Sequence, residues 1–260
     1  PLALAAVRGL PPGALRGITH LVATSCTGFA APGLDLQLID ALGLGGAVER
    51  TCVGFMGCYA AFNALKLARH VVRSEPGARV LLVNLELCTL HLQPSDDLEQ
   101  LLSFLLFADG AAACVVSADP SGLLLDRFES HLVPDTAPLI TWRIGDRGFD
   151  MLLSGRVPGA ISRALSGPHR PALLSDPSAL WAVHPGGRSV LDAVSDALQL
   201  PPDALADSRA VLRDHGNMSS GTILFVLARI LAAAHPPGTP GLAMGFGPGL
   251  VAEFLRFRTA

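Results

Sequence analysis

Cys58-Tyr59-Ala60-Ala61-Phe62-Asn63-Ala64-Leu65-Lys66-Leu67-Ala68-Arg69-His70-Val71-Val72, then Val80-Leu81-Leu82-Val83-Asn84-Leu85 after a short turn, decides the fold class. In the first stretch apolar residues recur at helical spacing and the charges fall at Lys66, Arg69 and Arg73, which predicts a helix. The second is a short apolar run, the pattern of a strand buried on both faces. A helix feeding such a strand is the unit of a layered α/β fold with a mixed sheet.

The same rhythm extends outward. Residues 18–24 read as a strand and 35–42 as a helix, with Pro32-Gly33 just before it. Residues 111–117 and 123–128 read as further strands. In the second half 151–165 reads as helical and 180–184 as a strand ending in Pro185-Gly186-Gly187. A helix follows at 189–198, Pro201-Pro202 opens another, and 218–233 reads as a long apolar helix. Two closing strands, 242–246 and 250–257, are separated by Gly247-Pro248-Gly249. The turn-rich stretch 119–122 divides the chain into two related strand–helix halves, 1–120 and 121–260.

Composition excludes several classes. Half of the 260 residues are hydrophobic, enough to bury a large core. Charges of 19 against 22 leave a net −3 with no basic stripe, so no nucleic-acid partner is expected. No apolar run reaches the roughly 18 residues of a membrane span; the richest, 223–234, is broken by Arg229. No secretory leader is visible. The chain opens at Pro1, and a core strand follows so soon that upstream sequence is expected to be missing. Lys66 is the only lysine, and the dominance of arginine hints at a GC-rich bacterial genome. The five cysteines, Cys26, Cys52, Cys58, Cys88 and Cys114, are odd in number and include no CxxC pair. This argues against a disulfide framework or a zinc site and for reduced cytoplasmic thiols.

Three residues stand where chemistry is plausible. Cys58 opens a helix, where the positive end of the macrodipole favours thiolate, the nucleophile for a thioester carbonyl. Taken alone, a buried structural cysteine is the plainer reading. His184 ends a strand before Pro-Gly-Gly and can pair with a thiolate or donate to an oxyanion; a satisfied core histidine is the plainer reading. Asn217, in Gly216-Asn217-Met218-Ser219-Ser220-Gly221, can donate to an oxyanion or simply cap the helix that follows. The Gly245-Phe246-Gly247-Pro248-Gly249 stretch is a tight turn or the floor of a pocket, and no helix follows it as a dinucleotide loop requires.

Taken in order, these segments resemble the type III polyketide synthases, the chalcone- and stilbene-synthase-like family. The resemblance is carried by Gly57-Cys58, Trp181-Ala182-Val183-His184-Pro185-Gly186-Gly187, Gly216-Asn217-Met218-Ser219-Ser220 and Gly245-Phe246-Gly247-Pro248-Gly249-Leu250. Phe107-Ala108-Asp109-Gly110-Ala111-Ala112-Ala113 resembles a further stretch, with Ala108 where the family has glycine. It implies a thiolase-like layered α/β/α/β/α fold of two related halves, the first incomplete, because family members carry a longer segment before the region matching residue 18. It implies that Cys58 takes the acyl group of a starter acyl-CoA, while His184 and Asn217 hold the thioester oxygen during decarboxylative condensation with malonyl-CoA. The imidazolium of His184 would then pair with the Cys58 thiolate. Phe107 and Phe149 match the family's gatekeepers; Cys26, Thr89 and Ser219 match cavity-lining positions, and Gly247 and Pro248 belong to the pocket-shaping loop. Core packing is the plainer reading of the two phenylalanines. The family is homodimeric, with Ala31 matching the loop that reaches the partner. CoA thioesters are the implied substrates, with no metal or redox cofactor. A ketoacyl synthase III-like enzyme of fatty-acid initiation, and a non-catalytic thiolase-fold remnant serving as a binding module, are the competing readings.

Overall fold

The computed structural model describes residues 1–168 and 170–260. The first half runs α1 (Leu2–Arg8), β1 (His20–Ser25), α2 (Leu34–Leu42), β2 (Glu49–Gly54), α3 (Ala60–Ser74), β3 (Val80–Glu86), α4 (Leu98–Leu106) and β4 (Gly110–Val116). The second runs β5 (Leu123–Leu132), β6 (Ile140–Gly145), β7 (Gly148–Leu153), α5 (Val157–Ser166), β8 (Leu180–Val183), α6 (Arg188–Leu198), α7 (Ala206–His215), α8 (Thr222–Ala232), β9 (Pro240–Gly247) and β10 (Val251–Thr259).

Each half contributes a mixed sheet. The first has the order β2-β1-β3-β4, with β1 parallel to β2 and β3, and β4 antiparallel to β3. The second has the order β5-β10-β9-β8, with β8 parallel to β9 and β10 antiparallel to both β9 and β5. Period-two alternation sends each strand's apolar residues to two different cores. In β3, Val80 and Leu82 face the cluster built by α3 and α8, whereas Leu81 and Val83 face the one under α1 and α2. In β10, Leu255 and Phe257 join the α3/α8 cluster, whereas Ala252 and Phe254 join the one under α5 and α6. The result is five layers, with α3 and α8 sandwiched between the sheets, the α/β/α/β/α arrangement expected from the sequence. Fully buried anchors such as Phe62 and Phe257 contribute roughly 1.5–3 kcal/mol each.

Three departures bear on the site. Residues 151–165 are not one helix: Met151 to Leu153 finish β7, and α5 begins only at Val157 with Pro158 in its first turn. The hairpin β6–β7 is a separate two-stranded sheet, closed where Gly145 pairs with Gly148. The leucine and valine spacing runs on through Ser154-Gly155-Arg156, which hides the break, and a proline near N1 starts a helix more readily than it continues one. The two sequence-read helices that carry chemistry also begin late. Cys58 lies in a short 3-10 turn, Gly57–Tyr59, ahead of α3, and Ser219–Gly221 forms a similar turn ahead of α8.

Candidate active site

Glycines let the elements close around Cys58. Gly57 holds φ +74, a left-handed conformation, and a Cβ there would run into the Pro248 ring. On β9, a Cβ at Gly247 would meet the Tyr59 ring at 2.7 Å and the Cys58 nitrogen at 3.3 Å, while one at Gly245 would meet Phe62 at 2.7 Å and the His184 Cβ at 3.5 Å. Gly245 and Gly247 share one face of the strand, so the Cys58 backbone and the His184 Cβ both pack against that face. His184 is fixed by its backbone N–H, which donates to Met244 O at 2.8 Å. Tyr59 Oη donates to Pro248 O at 3.4 Å and ties the nucleophile turn to the β9–β10 connection.

Asn217 takes both roles that its sequence context allowed. Its Oδ1 accepts from Ser219 N at 2.9 Å and from Thr222 Oγ1 at 3.5 Å, which caps the turn entering α8. With its oxygen so occupied, the amide nitrogen is left to donate, and the Asn217 amide and the Ser219 hydroxyl both act on the Cys58 thiol to favour its thiolate. The Asn217 backbone is locked as well: its N–H donates to Leu106 O at 3.0 Å, and its carbonyl accepts from Ala108 N at 2.9 Å. This bridge places Phe107 directly beside Asn217. Ser219 carries φ +47, costly for a residue with a Cβ and a mark of functional sites.

Burial dominates the electrostatics. It pushes the Cys58 thiol up to about 12, against the opposing pull of the Ser219 hydroxyl and the Asn217 amide, with Glu86 adding to the rise. Burial also holds the His184 imidazole down at about 3. Burial thus favours the neutral form of both groups, against the imidazolium–thiolate pair that the family resemblance implies. Neither ring nitrogen of His184 has a hydrogen-bond partner among the described residues, although both are buried. Buried polar atoms are nearly always paired, so an imidazole left open beside a thiol is a group held for a ligand.

A cavity of about 40 Å³ opens onto the sulfur. Cys26, Cys58, Phe107, Ser219 and Pro248 line it, as the sequence reading placed them. Cys26 is fixed by Gly57 N, which donates to its Sγ at 3.1 Å, and burial raises its thiol far above the ordinary range. Thr89 belongs elsewhere: it is exposed, and its hydroxyl donates to Asp109 at 2.7 Å; Cys88 and His91 on either side of it line the cavity instead. The four-residue 3-10 helix Cys88–His91 throws Thr89 outward. Phe149 stands one layer back, stacked on His91 at 4.1 Å rather than lining the cavity. Gly247 acts through its missing side chain, against Cys58 and Tyr59.

Glu86, not singled out from the sequence, organises the site from behind. Its carboxylate is fully buried and accepts from Cys26 N at 3.0 Å, Thr27 Oγ1 at 2.9 Å and Ser220 Oγ. It thus joins the end of β3 to the loop after β1 and to the turn before α8. Burial raises its pKa, against the pull of these donors. The readable signal was an acidic residue closing an apolar strand. Among the described residues, no cluster of three or more His, Cys, Asp or Glu side chains is placed to hold a metal ion. No helix among them is long and apolar enough to cross a membrane.

Comparison with known proteins identifies the family. The model of the N-terminal domain of chalcone and stilbene synthases matches residues 8–120, and that of their C-terminal domain matches residues 125–260. The chain is 37% identical over 253 residues to a 1,3,6,8-tetrahydroxynaphthalene synthase of Streptomyces peucetius subsp. caesius, covering 93% of this chain and 67% of the relative. It is 37% identical over 258 residues to bisdemethoxycurcumin synthase of Oryza sativa subsp. japonica, covering 91% and 64%. The crystal structure of PKS-I from the brown alga Ectocarpus siliculosus superposes with a TM-score of 0.86 at 35% identity, over 94% of this chain and 69% of that one. The chain thus spans about two thirds of the length of the proteins it matches.

Proposed function

The chain belongs to the chalcone and stilbene synthase family of type III polyketide synthases, and from that premise we propose that Cys58 is the acyl-accepting nucleophile of a decarboxylative condensing enzyme. The observation that carries the reading is a buried thiol lining an apolar cavity, acted on by the Asn217 amide and the Ser219 hydroxyl, with a buried histidine whose two ring nitrogens are unengaged packed against the same strand.

In this reading the Cys58 sulfur attacks the carbonyl carbon of a starter acyl-CoA as its proton passes to His184. The tetrahedral oxyanion is held by the Asn217 Nδ2–H and the new imidazolium, preorganised donors in an apolar cavity. Collapse breaks the C–S bond to CoA, and His184 returns the proton to the leaving CoA thiolate. Malonyl-CoA then loses carbon dioxide, its thioester oxygen taking enolate charge against the same donors. The enolate carbon attacks the acyl-Cys58 carbonyl and expels the Cys58 thiolate. Repeated extension and ring closure give a pyrone, a resorcinol or a related aromatic polyketide. The apolar wall keeps water from these reactive intermediates. No step calls on a metal or a redox cofactor.

The reading carries three corollaries. Acyl-CoA and malonyl-CoA are the substrates. The protein works in the cytoplasm, consistent with five free cysteines. It pairs as a homodimer, supported by exposed Ala31 and by a stripe of exposed leucines on α4, Leu98, Leu102 and Leu105. The deciding experiment incubates the protein and Cys58→Ala with malonyl-CoA and a panel of acyl-CoA starters, read by mass spectrometry. Polyketide products that vanish in the variant are expected. Activity only with acyl-carrier-protein donors would favour fatty-acid initiation, and no acyl loading on folded protein would favour a non-catalytic remnant.

A further inference from the structure

One wall of the Cys58 cavity is the β6–β7 hairpin, which contributes Ile140, Trp142 and Met151. The hairpin is paired to neither large sheet. A lone two-stranded hairpin is marginal in water, so its attachments decide whether that wall stays in place. Trp142 Nε1 donates to Cys26 O at 2.8 Å. His91 Nε2 lies 2.6 Å from Thr27 O. A carbonyl can only accept, so Nε2 carries the proton and Nδ1 is left with its lone pair. That lone pair accepts the backbone N–H of Phe149, on β7, at 3.1 Å. The same ring stacks on Phe149 at 4.1 Å and meets the edge of Trp142 at 5.5 Å. His91 is buried and lines the cavity with both nitrogens engaged. The other side-chain tie, Gln93 to Asp150 at 2.9 Å, lies in solvent and is correspondingly weak.

We propose that His91 is a positioning residue: a latch that joins the β6–β7 hairpin to the loop after β1 and thereby sets how large a group can reach Cys58. One imidazole donates to the loop and accepts from the hairpin at once, so its tautomer transmits the position of one to the other. The proposal rests on the polyketide-synthase reading only for the identity of the incoming group; the latch itself is a property of access to the thiol.

The test compares alkylation of Cys58 by iodoacetamide and by pyrenyl maleimide in the full chain, with the modified peptide quantified by mass spectrometry and Cys114 followed as internal control. His91→Phe keeps the stack and loses both hydrogen bonds; His91→Gln keeps a donor for Thr27 O and loses the acceptor for Phe149; His91→Asn keeps that acceptor. His91→Asn in turn loses the donor to Thr27 O, so each variant breaks the latch at one end or both. The bulky-to-small rate ratio is expected to rise about threefold to tenfold in His91→Gln and His91→Asn, the shift that one lost hydrogen bond produces, and at least as much in His91→Phe. An unchanged ratio in either His91→Gln or His91→Asn, or an equal change at Cys114, would overturn the latch. Should His91→Phe not fold, the Gln and Asn pair decides. Acrylamide quenching of Trp142 in a Trp181→Phe background reads the same opening without any thiol. Because neither readout uses CoA chemistry, a protein that makes no polyketide can still pass or fail this test.

Discussion

Consider alanine at position 57. Gly57 sits at φ +74, a region that costs a residue with a Cβ about 1–2 kcal/mol. The new methyl would lie 2.6 Å from the Pro248 Cγ, closer still to Cδ, and a proline ring has no rotamer by which to move aside. Forcing a methyl into such a contact adds about 1–3 kcal/mol. The expected loss is therefore about 2–5 kcal/mol, or a fall in Tm of roughly 10 °C for a chain of this size. The strain falls on the residue before the nucleophile, and a displacement of about 1 Å at a reacting group is enough to slow transfer roughly hundredfold. Differential scanning calorimetry measures the first effect, and acyl loading of Cys58 by intact-mass spectrometry the second. Gly46→Ala is the control, since nothing lies within 4 Å of its added methyl; its Tm should not fall. A Gly57→Ala protein that melts with the parent and loads acyl groups at the parent rate would refute the claim that this close approach builds the site.

Two further outcomes follow from the same geometry. Asn217→Ser keeps an oxygen able to cap the Ser219 N–H but loses the amide donor, so Tm should fall by no more than the few degrees of a weakened cap while acyl loading falls about 10²–10³-fold; a parallel collapse of both would make Asn217 structural alone. His184 is held at about 3 against an ordinary 6.5, so the unfolded chain binds the proton more readily. Its contribution is fully present above pH 6.5 and is lost as pH falls towards 3, by up to about 5 kcal/mol. Urea midpoints between pH 7 and 4 should fall more steeply with acid, or rise less, in the parent than in His184→Gln, with the raised Glu86 pulling the other way in both; identical slopes would refute the burial of a neutral imidazole.

How much of this was readable depended on whether the deciding contacts were local. The strand β3 and the helix α3 were legible because Leu81 and Leu82 must face opposite cores and Phe62, Leu65 and Ala68 must share one face. β2 was not, because Glu49–Gly54 is largely exposed and shows no apolar alternation. α4 went unread for a related reason: four of its five leucines are exposed, Leu105 at 84%, so no buried apolar stripe marks it. Cys58, His184 and Asn217 could be named from ordered motifs, but their protonation could not, because desolvation is a property of the surrounding layers. Thr89 was named because it matches a cavity-lining position of the family, whereas the direction of a side chain is set by the 3-10 turn, which brings His91 to the cavity instead. Glu86 acquires meaning only when Ser220, 134 positions away, closes on it.

The clamp between the nucleophile turn and Pro248 has a consequence for how the molecule comes into being. Tyr59 and Pro248 lie 189 positions apart, and Cys26 and Gly57 lie 31 apart. Contacts of such sequence separation demand closure of long loops before they return any stability, so they form late and slowly. The local elements around Cys58 can gather early, but the pocket that gives its sulfur a purpose cannot exist in any half-folded state. A partly folded molecule presents that thiol as one among five, without its donors and without its walls. Reactivity is in this sense a late reward of folding, and the acquisition of acyl-transfer competence should be among the last events in a refolding time course, trailing the recovery of helical signal.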